Sequence, residues 1–161
     1  MIIQAFSANN SHRGIVDMGV FHIIDDEPEI REVLESMVIT LGCDVRVFNS
    51  ADSYITFINS PDYQAPTAIL TDNMMPGTTG YELIASIRKT NPMQKIAMIS
   101  GTPDSNHKDS RELCSILDKP FRMDELNTLL EAVMGCHSET SNGQYEEKCK
   151  FGLQHHCPFS S

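Results

Sequence analysis

Short apolar runs alternate with amphipathic stretches through the middle of this chain. Val20 to Ile24 (VFHII) is a short run of the kind a buried strand shows. His22 within it reads as a core or edge histidine rather than a ligand. Pro28 then marks a helix start, where its missing N–H costs nothing. Ile30, Val33, Leu34, Met37, Val38 and Leu41 repeat at helical spacing, and Gly42 supplies a stop. Val45 and Val47 alternate with Asp44 and Arg46 in a second strand. Ser50 is placed to cap a short helix through Ile58, ended by Pro61. Ala68 to Leu70 is a third strand that delivers Asp72 at its end, followed by the loop NMMPGTTG. Thr79 is placed to cap a helix carrying Leu83, Ile84 and Ile87. Ile96 to Ile99 is a fourth strand that ends at Ser100-Gly101. Pro103 to Leu113 is weakly helical at best. Cys114 to Leu117 is a short fifth strand leading into Asp118-Lys119-Pro120. A last helix starts near Asp124, carries Leu126, Leu129, Leu130 and Val133 on one face and stops at Gly135.

Strands alternating with helices imply an α/β fold: a five-stranded parallel sheet, doubly wound, with helices on both faces. Ligands of such sheets bind beyond the carboxyl ends of the strands. Strand one brings Asp25 and Asp26 to that rim, strand three Asp72, strand four Ser100 and strand five Lys119. Adjacent carboxylates repel, and partial burial makes this worse, so a positive partner is expected beside Asp25 and Asp26. Three hard-oxygen carboxylates suit Mg²⁺. Asp72 is a competent nucleophile for an acyl phosphate. Ser100 offers a hydroxyl and Lys119 a point charge to phosphoryl oxygens. Taken singly, each has an ordinary reading: helix-start acids, a turn aspartate, loop chemistry, a surface lysine. Their joint placement at strand ends overrides those readings.

Composition narrows the picture. The 161 residues fit one domain with some excess at the ends. Residues 1–18 read as a flexible arm and residues 136–161 as a disordered tail. The net charge of −10 argues against broad nucleic-acid binding. No apolar run is long enough to span a bilayer, and the N-terminus lacks a signal-peptide pattern. The 5 Cys have no framework spacing. A cytoplasmic protein is expected, with no membrane insertion. Cys136, His137, Cys149, His155, His156 and Cys157 crowd the tail, but their spacing matches no standard zinc pattern. They are read as incidental.

The segments IIDDEP, ILTDNMMPGTTGYEL, MISG and DKPF, in this order and on these elements, resemble the receiver domain of two-component response regulators. The resemblance spans roughly Val20 to Met134, within a receiver unit of residues 19–135. It implies the flavodoxin-like receiver fold. It also implies that Asp72 accepts a phosphoryl group from a sensor histidine kinase or histidine phosphotransfer protein. Asp25, Asp26, Asp72 and the backbone carbonyl of Met74 would hold Mg²⁺. Ser100 and Lys119 would contact the phosphoryl group, and Lys119-Pro120 would be cis. Such a domain is a phosphoacceptor rather than an enzyme, and it signals by conformational change to a downstream protein.

Two features depart from the family pattern. Ile116 stands where many receivers carry a switching Tyr or Phe, which puts the usual readout on the fourth helix and fifth strand in doubt. Gly101 leaves the site without a side chain after the hydroxyl residue. The Met74-Met75 pair reads as loop packing. With no helix-turn-helix pattern or basic recognition segment, direct DNA binding is not expected, and self-association is left open. Two rival readings remain. One is a pseudo-receiver that only binds a partner. The other is an aspartate-nucleophile phosphohydrolase, which commonly wants an acid at the position held by Met74.

Overall fold

The computed structural model describes residues 19–101 and 113–135. The proposed N-terminal arm, most of the weakly helical piece and the Cys/His tail lie outside these residues. The chain runs β1 (Val20–Ile24), α1 (Pro28–Thr40), β2 (Asp44–Phe48), α2 (Ala51–Ile58), β3 (Ala68–Thr71), α3 (Gly80–Thr90), β4 (Ile96–Ser100), β5 (Ser115–Asp118) and α4 (Met123–Met134). The five strands form one sheet in the order β2-β1-β3-β4-β5. Every neighbouring pair is parallel.

Alternation along each strand divides the core into two layers. Phe21 and Ile23 of β1, Leu70 of β3 and Ile99 of β4 face α1 and α4, where Leu34, Val38, Leu126 and Leu130 meet them. Ile24, Ile69, Ile96 and Met98 face the other way, onto Tyr54 of α2 and Leu83, Ile84 and Ile87 of α3. Both layers are fully buried, and each such aliphatic side chain contributes about 1.5–3 kcal/mol on leaving water. This two-sided burial is why the inner strands read as near-continuous apolar runs.

Local signals fix the element ends. Ser50 accepts a hydrogen bond from the Ser53 amide at the start of α2. Thr79 and Glu82 form a reciprocal capping box at the start of α3. Gly42 takes a positive φ of 81° after α1, a conformation that costs other residues energy. Gly135 ends α4 differently, with φ −78°, so it stops the helix without a left-handed cap. β5 begins at Ser115, one residue later than the apolar run suggested, although the Cys114 amide already donates to the Ile96 carbonyl of β4.

His22 is a core histidine, as its setting in the strand suggested. It is buried, its Nδ1 lies 2.9 Å from the Tyr54 hydroxyl, and Phe48, Tyr54 and Phe57 surround it edge-on. Burial, aided by the Arg46 charge, lowers its pKa to about 4.

Candidate functional site

The order of the sheet reverses at β1 and β3, and the crevice at their carboxyl ends is the usual ligand position for this topology. Backbone hydrogen bonds extend past the strands and pin the residues there. The Asp25 amide donates to the Phe48 carbonyl at 3.2 Å, the Asp72 amide to the Ile24 carbonyl at 2.9 Å and the Lys119 amide to the Ser100 carbonyl at 2.8 Å. Each of these three residues is thus tied to the strand beside its own. Lys119-Pro120 is cis.

The side chains converge. Asp25, Asp26 and Asp72 each bring a carboxylate oxygen within 4.8 Å of the others. Asp25 and Asp72 are buried, and Asp26 is half-buried. A positive partner stands beside Asp25, the first of the acid pair: Lys119. Its Nζ lies 2.8 Å from Asp25 Oδ2, 2.7 Å from Glu27 Oε1 and 3.6 Å from Asp72 Oδ1. Asp25 Oδ1 accepts from the Glu27 amide at 2.9 Å, and the Arg31 guanidinium donates to the Asp25 carbonyl at 2.6 Å. Asp72 Oδ1 and Ser100 Oγ are buried with no hydrogen-bond partner. Such atoms cost energy until something satisfies them.

The electrostatics follow from this crowding. Burial raises the pKa of Asp25 against the pull of Lys119 and the Glu27 amide. Burial also raises that of Asp72, with the charges of Asp25 and Asp26 adding to it and Lys119 opposing. For Lys119, burial works against the charge, but hydrogen bonds to Asp25 and Glu27 and the nearby carboxylate charges outweigh it and raise the pKa.

The loop after Asp72 is tightly built. Gly77 has φ 83°, and the Thr78 hydroxyl donates to Asp52 Oδ1 at 2.6 Å. A Cβ at Gly80 would stand 2.8 Å from Asn73 Cα, so only glycine lets α3 begin this close to the loop. Met75 packs into the core, but Met74 is 63% exposed, which corrects the expectation that both pack the loop. The contact between Glu27 and Lys119 and the Asp52–Thr78 tie were not foreseen. Glu27 stood beside the acid pair in the sequence, but nothing local showed that it reaches a lysine 92 residues away.

Residues 21–131 match the family model of the response regulator receiver domain. The chain belongs to this family. It is 27% identical over 124 residues to the DNA-binding transcriptional regulator NtrC of Salmonella typhimurium, covering 75% of this chain and 26% of that one. It is 28% identical over 118 residues to the response regulator TodT of Pseudomonas putida, covering 71% and 51%. The chain thus spans about a quarter of the length of NtrC and half that of TodT. Among solved structures, NtrX of Brucella abortus in complex with ATP aligns with a TM-score of 0.63 at 27% identity, over 73% of this chain and 27% of that one. TrrA of Thermotoga maritima, in complex with Mg²⁺–BeF, aligns with a TM-score of 0.62 at 24% identity, over 71% and 97%. The receiver fold and the place of this domain in two-component response regulators are therefore shown. Among the described residues no helix is long and apolar enough to cross a membrane.

Proposed function

We propose that Asp72 accepts a phosphoryl group from the phosphohistidine of a sensor kinase or phosphotransfer protein, and that the altered rim is then read by a protein partner. One observation carries this reading. Asp72 Oδ1 is a buried carboxylate oxygen without a hydrogen-bond partner, facing Lys119 at 3.6 Å and sharing a cluster with Asp25 and Asp26. In the reaction an Asp72 oxygen bonds to phosphorus, the phosphorus–nitrogen bond breaks, and the imidazole leaves with the electron pair. Lys119 places its ammonium beside the new negative charge. The Ser100 hydroxyl, otherwise unpartnered, donates to a phosphoryl oxygen.

The donor set fits Mg²⁺: three carboxylates, all hard oxygen ligands, within reach of one ion. Asp25, Asp26 and Asp72 would hold it with the Met74 carbonyl. When bound, it supplies charge neutralisation for the transferring group. The complex of TrrA with Mg²⁺–BeF supports this ligand class. Met74, an exposed thioether two residues after Asp72, offers no acid for a phosphohydrolase.

Thermal unfolding with Mg²⁺ and beryllofluoride tests the reading. A rise in midpoint of about 5 °C or more is expected at saturating ligand, and none in Asp72→Asn. No rise in the unsubstituted protein would contradict it.

A further inference from the structure

We propose that Glu27 is a positioning residue that holds the Lys119 ammonium back from Asp72 and so slows phosphoryl capture. This rests on the reading of Asp72 as the acceptor. Three carboxylates compete for one ammonium: Glu27 at 2.7 Å, Asp25 at 2.8 Å and Asp72 at 3.6 Å. Only the first two are at hydrogen-bond distance. The cation that phosphoryl transfer needs beside Asp72 is therefore held by its rivals.

The two rivals differ. Asp25 is buried, belongs to the cluster of three acids and is fixed by the Glu27 amide and the Arg31 guanidinium around it. Glu27 lies outside that cluster, and its side chain is 55% exposed. It occupies the N-cap position of α1, yet its carboxylate bonds no amide of the helix. The carboxylate reaches across the rim to Lys119 instead. A pair this exposed is weak enough to break in each cycle. An arriving phosphoryl group carries more charge than one carboxylate and takes the ammonium, but the Glu27 contact must first be lost. Deleting that contact removes the cost.

The test follows phosphorylation by acetyl phosphate at saturating Mg²⁺, read by intact mass over time. In that reaction an Asp72 oxygen bonds to phosphorus, the bond from phosphorus to the acyl oxygen breaks, and acetate leaves with the electron pair. Glu27→Gln keeps the side-chain length and removes the charge. Its rate constant is expected to rise roughly fivefold. The same substitution in a Lys119→Ala chain is expected to change nothing, because there is no ammonium to withhold. An unchanged or slower rate in Glu27→Gln overturns the proposal. Equal acceleration in the Lys119→Ala chain also overturns it, since Glu27 would then only repel the anionic donor. If neither acetyl phosphate nor a phosphohistidine donor modifies the unsubstituted protein, the reading of Asp72 has failed, and the role of Glu27 falls with it.

Discussion

Asp72 Oδ1 is buried without a hydrogen-bond partner, and two further acids stand beside it. Lys119 keeps Asp25 and Glu27 if Asp72 loses its charge. Asp72→Asn is therefore expected to stabilise the metal-free protein against urea by about 1–2 kcal/mol, with the advantage shrinking as Mg²⁺ is added. A destabilised variant would mean that Lys119 depends on Asp72. Gly101 is the second residue with a clear consequence. A Cβ there would stand 3.9 Å from Lys119 Cβ, an ordinary contact, so a larger side chain fits and narrows the approach of water. Gly101→Val should lengthen the life of the phosphorylated state about threefold or more, measured by loss of the mass adduct; an unchanged lifetime would argue against this. His22 links residue chemistry to stability. Its pKa of about 4 in the folded chain lies below the ordinary 6.5, so the unfolded chain takes up the proton first as pH falls. The resulting stability is fully present above pH 6.5 and is lost as pH falls towards 4, up to roughly 3 kcal/mol. Urea unfolding from pH 7 to pH 4.5 should show this slope, and His22→Phe should flatten it.

At the scale of elements, the segment from Asp72 to α3 is tightly built, with the backbone of Asp72 and Asn73 close against Gly80. The Gly80 amide donates to the Asn73 carbonyl at 3.0 Å, and a methyl group at Gly80 would press on the backbone of both Asp72 and Asn73. Gly80→Ala should cost about 2–3 kcal/mol and slow phosphorylation together, because relief of the clash must move the acceptor. Stability lost with no change in rate would separate the loop from the site. Much of this level was legible in the sequence. Pro28, Ser50, Thr79 and Gly42 mark ends that local chemistry alone dictates, and the periodicity of α1, α3 and α4 gave their buried faces. The convergence of Asp25, Asp26, Asp72 and Lys119 followed from the alternation of strands and helices, since strand ends in a parallel sheet share one rim. Contacts between side chains from distant segments were not legible. Glu27 with Lys119, and Asp52 with Thr78, depend on how α1 and α2 sit against the rim, which no local pattern encodes. Met74 and Met75 read alike in sequence and part company only because the loop turns between them.

Across the whole molecule, one parallel sheet holds four chain segments to a single rim and buries both of its faces. The backbone ladder runs directly into the site residues: the Asp72 amide donates to the Ile24 carbonyl, and Lys119 Nζ lies 3.6 Å from Asp72 Oδ1. The far edge carries β5, where Ile116 is 45% exposed. An aliphatic side chain there has no ring to swing between buried and exposed positions, so under the proposed function the readout falls to other groups at the rim, with Lys119 as the direct candidate. The central claim is that Asp72 is the acceptor. It is tested by weighing the intact protein after incubation with Mg²⁺ and a phosphodonor, either acetyl phosphate or a phosphorylated histidine kinase, beside Asp72→Asn. The account predicts one phosphoryl adduct on the unsubstituted chain, absent without Mg²⁺ and absent from the variant. An adduct of equal size on Asp72→Asn, or none on the unsubstituted chain from either donor, would contradict it.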